Sequence, residues 1–275
     1  MPSDDPQRRT YSYLGPAGTF TEAALAQVPE ARGQHWRPVA NVGVALDDVV
    51  TGRSDAAMLA IENSVEGGVS SVQDALATIP GLRIVGEYLV PVTFWLVAPS
   101  GVTLEEVASQ QQLSVAAHPV AYAQCLGWLG EHLPQHDHVV AGSNVASAIG
   151  MLDGTLPAQV AIVAPGVADH YEVDVLATDI GDNDSAVTRF VLVTGVAASA
   201  PQTGADKTSL VAELPSDAPG ALLEMLEQFS TRGINLSLIQ SRPIGDALGR
   251  YRFVIDADGH VLDERMADAL VGLKR

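Results

Sequence analysis

The stretch SAVTRFVLV (185–193) decides how this chain is organised. Phe190 to Val193 form a short apolar run of the kind that fills a buried strand. A hydroxyl and a guanidinium, Thr188 and Arg189, stand directly ahead of it. Between Arg83 and Arg189 there is no lysine and no other arginine, so this cation stands alone in a long acidic stretch. Strand alternation puts Thr188 and Phe190 on one face and Arg189 on the other. Two roles follow for Arg189. It binds a substrate carboxylate, or it pairs with a protein carboxylate such as Asp182 or Asp184; alternation favours the second.

The segments before this strand alternate between strand and helix. YSYL (11–14) reads as a strand, GPAG as a turn, and a helix starts at Thr19, where Thr19 and Glu22 have capping-box spacing. Asn41 caps VGVALDDVVTG, AAMLAI is a strand, ENSVEGGVSS a polar glycine-rich loop, and Ser70 or Ser71 starts VQDALAT. Two strands flank Pro91 within 82–98, and LSVAA (113–117) runs into His118-Pro119 and the helix AYAQCLGWLGEHL. Ser143 and Asn144 follow the strand VVAG and cap VASAIGML; QVAIVA is a strand and PGVADHY a short helix. This order predicts an α/β sheet architecture with crossover connections, in which ligands lie at the carboxyl ends of strands. SAVTRFVLV is then the return strand that brings Thr188 to the loops at those ends.

After it, AASAPQTGAD (197–206) is small, polar and Pro/Gly-containing, and reads as a linker. A different module follows. KTSLVAEL is a strand, Pro219 stands near a helix start, and Leu222, Leu223, Leu226 and Phe229 share a face of ALLEMLEQFS. INLSLIQSRP and RYRFVIDA are strands and LDERMADALVGL a helix. The βαββα order is similar to a ferredoxin-like unit that lacks its last strand. Either that strand is absent from this chain, or a neighbouring element closes the sheet edge.

Composition narrows the function. The 275 residues carry a formal net charge of −18 with Lys207 and Lys274 as the lysines, which disfavours nucleic acid and anionic membranes as partners. Apolar runs are too short to span a bilayer and MPSDDPQRRT lacks a signal peptide's apolar core, so a cytoplasmic protein is expected. The single cysteine, Cys125, reads as a buried hydrophobe. His132, His136 and His138 read as a helix end and a solvated loop broken by Pro134 rather than as a zinc site. GPAGTF (15–20) can present backbone N–H groups to an anion but lacks a Walker lysine and a third dinucleotide-fingerprint glycine. IENSVEGGVSS (61–71) sets a carboxylate, an amide and a hydroxyl side by side in Glu62, Asn63 and Ser64.

YLGPAGTFTEAAL (13–25), IENSVEGGV (61–69), HPVAYAQC (118–125), SNVASA (143–148), TRF (188–190), GALL (220–223) and QSRP (240–243) occur together in one order. In them the chain resembles the monofunctional bacterial prephenate dehydratases that carry a C-terminal ACT regulatory domain. The resemblance implies a catalytic domain over 10–196 with the two-lobed fold of type II periplasmic binding proteins. Lobe 1 would take 10–95 plus 187–196, lobe 2 would take 96–186, and an ACT domain would follow the linker over 207–275. It implies decarboxylative dehydration of prephenate to phenylpyruvate, without a cofactor or metal, in a homodimer or homotetramer inhibited by L-phenylalanine.

On this resemblance Thr188 assists departure of the ring hydroxyl, with Glu62 or water supplying the proton and Ser64 beside them. Gly18, Thr19, Phe20, Asn63, Ser143, Asn144, Arg189 and Phe190 would bind substrate. Helix starts at Thr19, Ser70 and Asn144, with Arg189, would hold its two carboxylates. Gly220, Ala221, Leu222, Gln240, Ser241, Arg242 and Pro243 would bind the effector. Gln240 stands where the family usually has glutamate, so an effector ammonium would meet a neutral amide. Arogenate dehydratase and a non-catalytic amino-acid sensor are the competing readings.

Overall fold

The computed structural model describes residues 8–195, 200–214, 218–244 and 250–274. Part of the expected linker (197–199), part of the turn before the third-module helix (215–217) and the ends of the expected domains lie outside the described residues. The fold is mixed α/β. It divides into two compact units, Met1–Val69 with Val85–Gly195, and Ser70–Ile84 with Val196–Arg275.

In the first unit, one sheet contains β1 (Thr10–Leu14), β2 (His35–Val39), β3 (Ala56–Asn63), the two-residue β4 (Gly67–Gly68) and β5 (Leu82–Pro91). A second sheet contains β6 (Trp95–Pro99), β7 (Leu113–Ala117), β8 (His136–Val140), β9 (Val160–Val163) and β10 (Val173–Ala177). The chain then returns to the first sheet through β11 (Val187–Gly195), giving the order β2-β1-β3-β11-β5 with β4 on β3. β1 runs parallel to β2 and β3, whereas β11 runs antiparallel to β3. The return strand therefore starts where β3 ends.

Three strands differ from the sequence expectation. β2 gives no strand signal because Pro38 interrupts it; the sheet accepts that proline at its edge, where one face of the strand makes no ladder bonds. β10, unforeseen, is a short, largely exposed edge strand paired antiparallel to β6. His136–Val140 is no loop but the strand β8, paired parallel to β7 at the other edge, where partial exposure accommodates its polar residues. The helix expected from Ala121 onward also breaks in two, Pro119–Ala123 and Leu126–His132. The second piece is capped from far away: Asp182 accepts the N–H groups of Gly127 and Trp128.

Tyr11, Tyr13, Met58, Phe190 and Leu192 pack with Leu25 of helix Phe20–Ala26 on one face of the first sheet. Phe94, Leu96, Leu113, Val115 and Ile162 form a core on one face of the second. Phe20 packs against both cores and meets Phe94 edge-to-face, with centroids 6.1 Å apart. One ring thus ties the two sheets together.

The second unit is built on β12 (Lys207–Glu213), β13 (Leu236–Pro243) and β14 (Tyr251–Asp258), antiparallel in the order β12-β14-β13. Helices Ala221–Ser230 and Glu264–Gly272 contribute Met225, Phe229, Met266 and Ala269 to its core. The buried face of the first helix is centred on Met225 and Phe229, and Leu223 is exposed; the expected face was rotated toward solvent. Pro219 precedes the N-cap Gly220 rather than opening the helix.

One polar cluster lies inside the first unit. Asp48, on helix Val42–Val50, accepts from Arg53 at 2.6 Å, Arg37 at 2.9 Å and the Ser12 hydroxyl at 3.2 Å. Burial alone would raise its pKa, but these donors outweigh burial and the carboxyl titrates below its ordinary range. Asp48→Ala is expected to cost about 2–3 kcal/mol at neutral pH. Because the folded-state pKa is depressed, this contribution is complete above the unfolded pKa and is lost as pH falls through the folded one. Urea midpoints of the two proteins should therefore differ at pH 7 and begin to converge only as pH falls below about 4.

Candidate active site

The site grows from the pairing of β3 with β11. Thr188 lies opposite Asn63 and Arg189 opposite Glu62, but Phe190 lies opposite Ala60. Ile61 is therefore an extra residue, a β-bulge. Since paired residues share a face, the bulge reverses the parity of β3. Asn63 comes onto the face of Thr188, and Glu62 turns to the face of Arg189.

Asn63 Nδ2 donates to Thr188 Oγ1 at 2.8 Å, while Asn63 Oδ1 accepts the N–H groups of Val65 at 2.8 Å and Glu66 at 3.2 Å. The amide is thus locked by its own turn. Gly67, at φ 81°, then lets the chain fold back as β4 beside Glu62 and Asn63. Ser64 clasps the start of β11 twice: its N–H donates to Val187 O and its hydroxyl accepts the Val187 N–H, both at 2.9 Å. Thr188 is 8% exposed.

On the opposite face Arg189 is buried between two carboxylates. Its Nε donates to Glu87 of β5 at 2.5 Å and its NH1 to Glu62 at 3.4 Å. The protein carboxylates expected beside it, Asp182 and Asp184, are not these partners; Asp182 caps the helix Leu126–His132 instead. The Phe190 side chain belongs to the core of the first sheet rather than to an open surface.

At the carboxyl end of β1, Thr19 accepts from Glu22 N at 3.3 Å as the N-cap of helix Phe20–Ala26. Glu22 reaches back one residue further than a capping box, to Gly18 N at 2.6 Å, so this N–H already has an anionic partner. The same carboxylate meets His170 Nε2 at 2.9 Å and the Tyr13 hydroxyl at 3.3 Å. Burial first, then Glu22, pushes the Tyr13 pKa above its ordinary range. Gly18, at φ 89°, lies against Gly166 and Val167 from the second sheet's side of the unit.

At the carboxyl end of β8, Ser143 accepts from Ala146 N at 3.0 Å and caps the helix Asn144–Asp153. Asn144 Oδ1 is buried without a hydrogen-bond partner. The described residues show no hydrogen bond from this helix start to the Thr188 group. His118 caps its helix through Val120 N at 3.4 Å. His136 and His138 bond Leu133 O and Ala117 O at 2.6 and 3.0 Å, and Tyr122 stacks on His138. Cys125 is buried, and burial first, then Asp182, pushes its thiol up to about 12. Among the described residues no group of three or more His, Cys, Asp or Glu is placed to hold a metal ion.

In the second unit the expected effector residues divide. Gln240 and Arg242 share a face with Val254 and Arg252, while Ser241 shares the opposite face with Phe253 of the core. Gly220 caps the helix that begins Ala221-Leu222. Arg242 is held by Asp74 of helix Ser70–Thr78 through Nε at 2.9 Å and NH2 at 2.5 Å. Hydrogen bonds from Arg242, which outweigh burial, lower the Asp74 pKa. Sequence reasoning missed Glu22, Glu87, Asp74 and His170 as site groups; Glu22 was read only as a capping residue.

A family model for prephenate dehydratase matches residues 11–197. Prephenate dehydratase of Amycolatopsis methanolica is 42% identical over 265 residues, covering 96% of this chain and 84% of that one. The crystal structure of prephenate dehydratase from Arthrobacter aurescens in complex with L-Phe has a TM-score of 0.89 at 54% identity, over 97% of this chain and 86% of that one. GqqA, of the quorum quenching acylases, has a TM-score of 0.83 at 28% identity, over 96% and 93%.

A Cβ on Gly18 would stand 3.0 Å from Val167 Cα and 3.2 Å from Gly166 O, on a backbone that L residues rarely adopt. Gly18→Ala is expected to lower stability by about 1–3 kcal/mol, read as a fall in urea midpoint.

Proposed function

This chain belongs to the prephenate dehydratase family, a family of lyases, and from that membership we propose that it converts prephenate to phenylpyruvate, water and carbon dioxide at the β3–β11 site. The observation that carries the reading is the bond from Asn63 Nδ2 to Thr188 Oγ1. An amide N–H can only donate, so the threonine oxygen accepts there and its own proton is free to point elsewhere. That proton is aimed at the departing ring hydroxyl. The C–O bond breaks toward oxygen, the C–C bond to the ring carboxylate breaks toward the ring, and that electron pair completes the aromatic sextet. Carbon dioxide leaves, and the hydroxide takes one proton to become water.

Threonine is too weak an acid to give up its proton for good, so it stabilises the leaving oxygen by a strong hydrogen bond. Glu62 lies on the other face with Arg189, so the proton reaches the hydroxide from water. Ser143 and the unpartnered amide of Asn144 supply neutral polar contacts to the substrate. Arg189 has two protein carboxylates as partners and serves the site by holding them. Acyl hydrolysis, suggested by the likeness to GqqA, needs a nucleophile bonded to a base. Among the described residues neither Ser64 nor Thr188 hydrogen-bonds a histidine.

The two sheets of the first unit fit the two lobes of a type II periplasmic binding fold, over 10–196. The βαββα order of the second fits an ACT domain over 207–275 that binds L-phenylalanine near Gly220–Leu222 and Gln240–Pro243, between subunits of a homo-oligomer. A biosynthetic enzyme of this kind works in the cytoplasm; no helix among the described residues is long and apolar enough to cross a membrane. Arg242 belongs to regulation through Asp74. Helix Ser70–Thr78 follows directly on Val69, whose N–H bonds Ile61 O at 2.8 Å, so the chain held by Arg242 continues the bulged hairpin that carries Asn63.

Thr188→Ala is expected to lower phenylpyruvate formation by about 10²–10⁴-fold with an unchanged melting temperature, and Thr188→Ser to retain most of it. Wild-type turnover of arogenate in place of prephenate, or full activity of Thr188→Ala, would sink the reading. L-Phenylalanine is expected to slow the wild-type enzyme. Asp74→Asn should keep uninhibited turnover within about twofold and weaken that inhibition about tenfold, the loss of one charge-assisted bidentate contact.

A further inference from the structure

Glu87 has no place in the reaction just described, yet among the described residues it makes the shorter of two carboxylate contacts to Arg189, at 2.5 Å against 3.4 Å for Glu62. Glu62, Arg189 and Glu87 come from β3, β11 and β5, three neighbouring strands, and form one row across the sheet. Arg189 is bonded in sequence to Thr188. Glu62 is bonded in sequence to Asn63. The row therefore fixes, from the rear face, the two residues whose side chains meet at 2.8 Å on the front.

The bulge makes this tie necessary. At the end of a strand an extra residue disrupts the ladder and is itself left unpaired. Slipping β11 by one residue would put Glu62 opposite Thr188 and remove the Asn63 contact. Only the bulged register also places Glu62 opposite a cation. That cation is a long side chain, 8% exposed, and needs a second anchor to keep its head at the sheet edge. Glu87 is that anchor. The other titratable groups on these strands and their connecting turn are Arg83 and Tyr88 on β5 and Glu66 beyond β3. Tyr88 belongs to the core face opposite the row.

We infer that Glu87 is a positioning residue of the dehydratase reaction, acting through Arg189 to hold the Thr188–Asn63 pair in its reactive register. This rests on the function proposed above. The prediction is a kcat effect: a misplaced hydroxyl loses transition-state contact, whereas the groups that bind prephenate stay where they are.

The test is steady-state kinetics with prephenate on wild type, Glu87→Gln, Glu87→Asp, Thr188→Ala and the double variant Glu87→Gln/Thr188→Ala, each with its melting temperature. Glu87→Gln should lower kcat about 10–100-fold with KM within about twofold, and Glu87→Asp should recover most of the rate. In the Thr188→Ala background Glu87→Gln should lower kcat no further, since the hydroxyl it positions is gone. A kcat within twofold of wild type overturns the inference. So does an equal loss in both backgrounds, which would make Glu87 a general support of the fold. A change confined to KM also overturns it, because Glu87 would then act on binding. If Glu87→Gln does not fold, the same cycle run with Glu87→Ala decides by the same criteria. Inactivity of the wild type toward prephenate would instead defeat the proposed function itself.

Discussion

The structure depends on one antiparallel pairing, β11 against β3, made with a single residue of bulge. Everything upstream could form two separate sheets without it, since residues 95–177 supply every strand of the second sheet. β11 is the segment that returns from the second sheet to the first and inserts between β3 and β5. Its apolar part, Phe190 to Val193, is buried as a central strand must be, because helices cover the sheet on both sides. Its polar head has nowhere to go but the sheet edge, where β3 ends. The polar and apolar halves of TRFVLV thus follow from one placement: the run that anchors the strand and the residues that it delivers are adjacent in sequence because they are adjacent in space.

The bulge converts that placement into chemistry. With regular pairing the Glu62 carboxylate would stand opposite Thr188, in place of the Asn63 amide, and Ile61 would stand opposite Arg189. A carboxylate beside the hydroxyl would accept its proton and turn the threonine away from any leaving group. The amide does the reverse: it donates, and leaves the proton available. The arginine meanwhile receives the carboxylates that its burial requires, since an unpaired buried guanidinium is costly. One inserted residue therefore resolves two demands that a regular ladder sets against each other.

How much of this was legible in the sequence follows from the period of each signal. Caps were legible: Thr19, Asn41 and Ser143 each cap where their spacing indicated. The order of the third sheet's elements and the partnership of the 62–64 loop with the 188–189 head were also legible, because motif residues of one site cluster at strand ends. Edge strands were not. β2, β8 and β10 contain proline, histidine or aspartate because their exposed sides tolerate them, and that tolerance erases the alternating pattern. The bulge was not legible either, since the same residues give the same alternation with or without it. Asp182 capping a helix fifty-odd residues away, like Arg189 finding Glu87 rather than Asp184, is a tertiary pairing that local spacing does not encode. The resemblance to a family supplied roles, but only the backbone register showed which face each role occupies.

Net charge sets the remaining constraint. A protein at −18 repels a dianion that comes within about 10 Å of its surface charges, the distance beyond which 0.1 M salt screens them. Arg189 does not offset this, for it is bonded to two carboxylates among the described residues, and the row Glu87–Arg189–Glu62 carries a net charge of −1 when both are ionised. On the function proposed above, capture of the substrate would rest on short-range dipoles: hydroxyls, the side-chain amide of Asn63 and the helix start behind Ser143. Such donors act only within hydrogen-bond distance. Their strength depends on exclusion of water. A site of this type favours the state in which charge leaves the substrate. The reaction does this: a dianion and one proton become a monoanion, neutral carbon dioxide and water. The acidic environment that weakens the encounter thus acts on the ground state more than on the products, and binding by neutral donors lets that difference assist the chemical step.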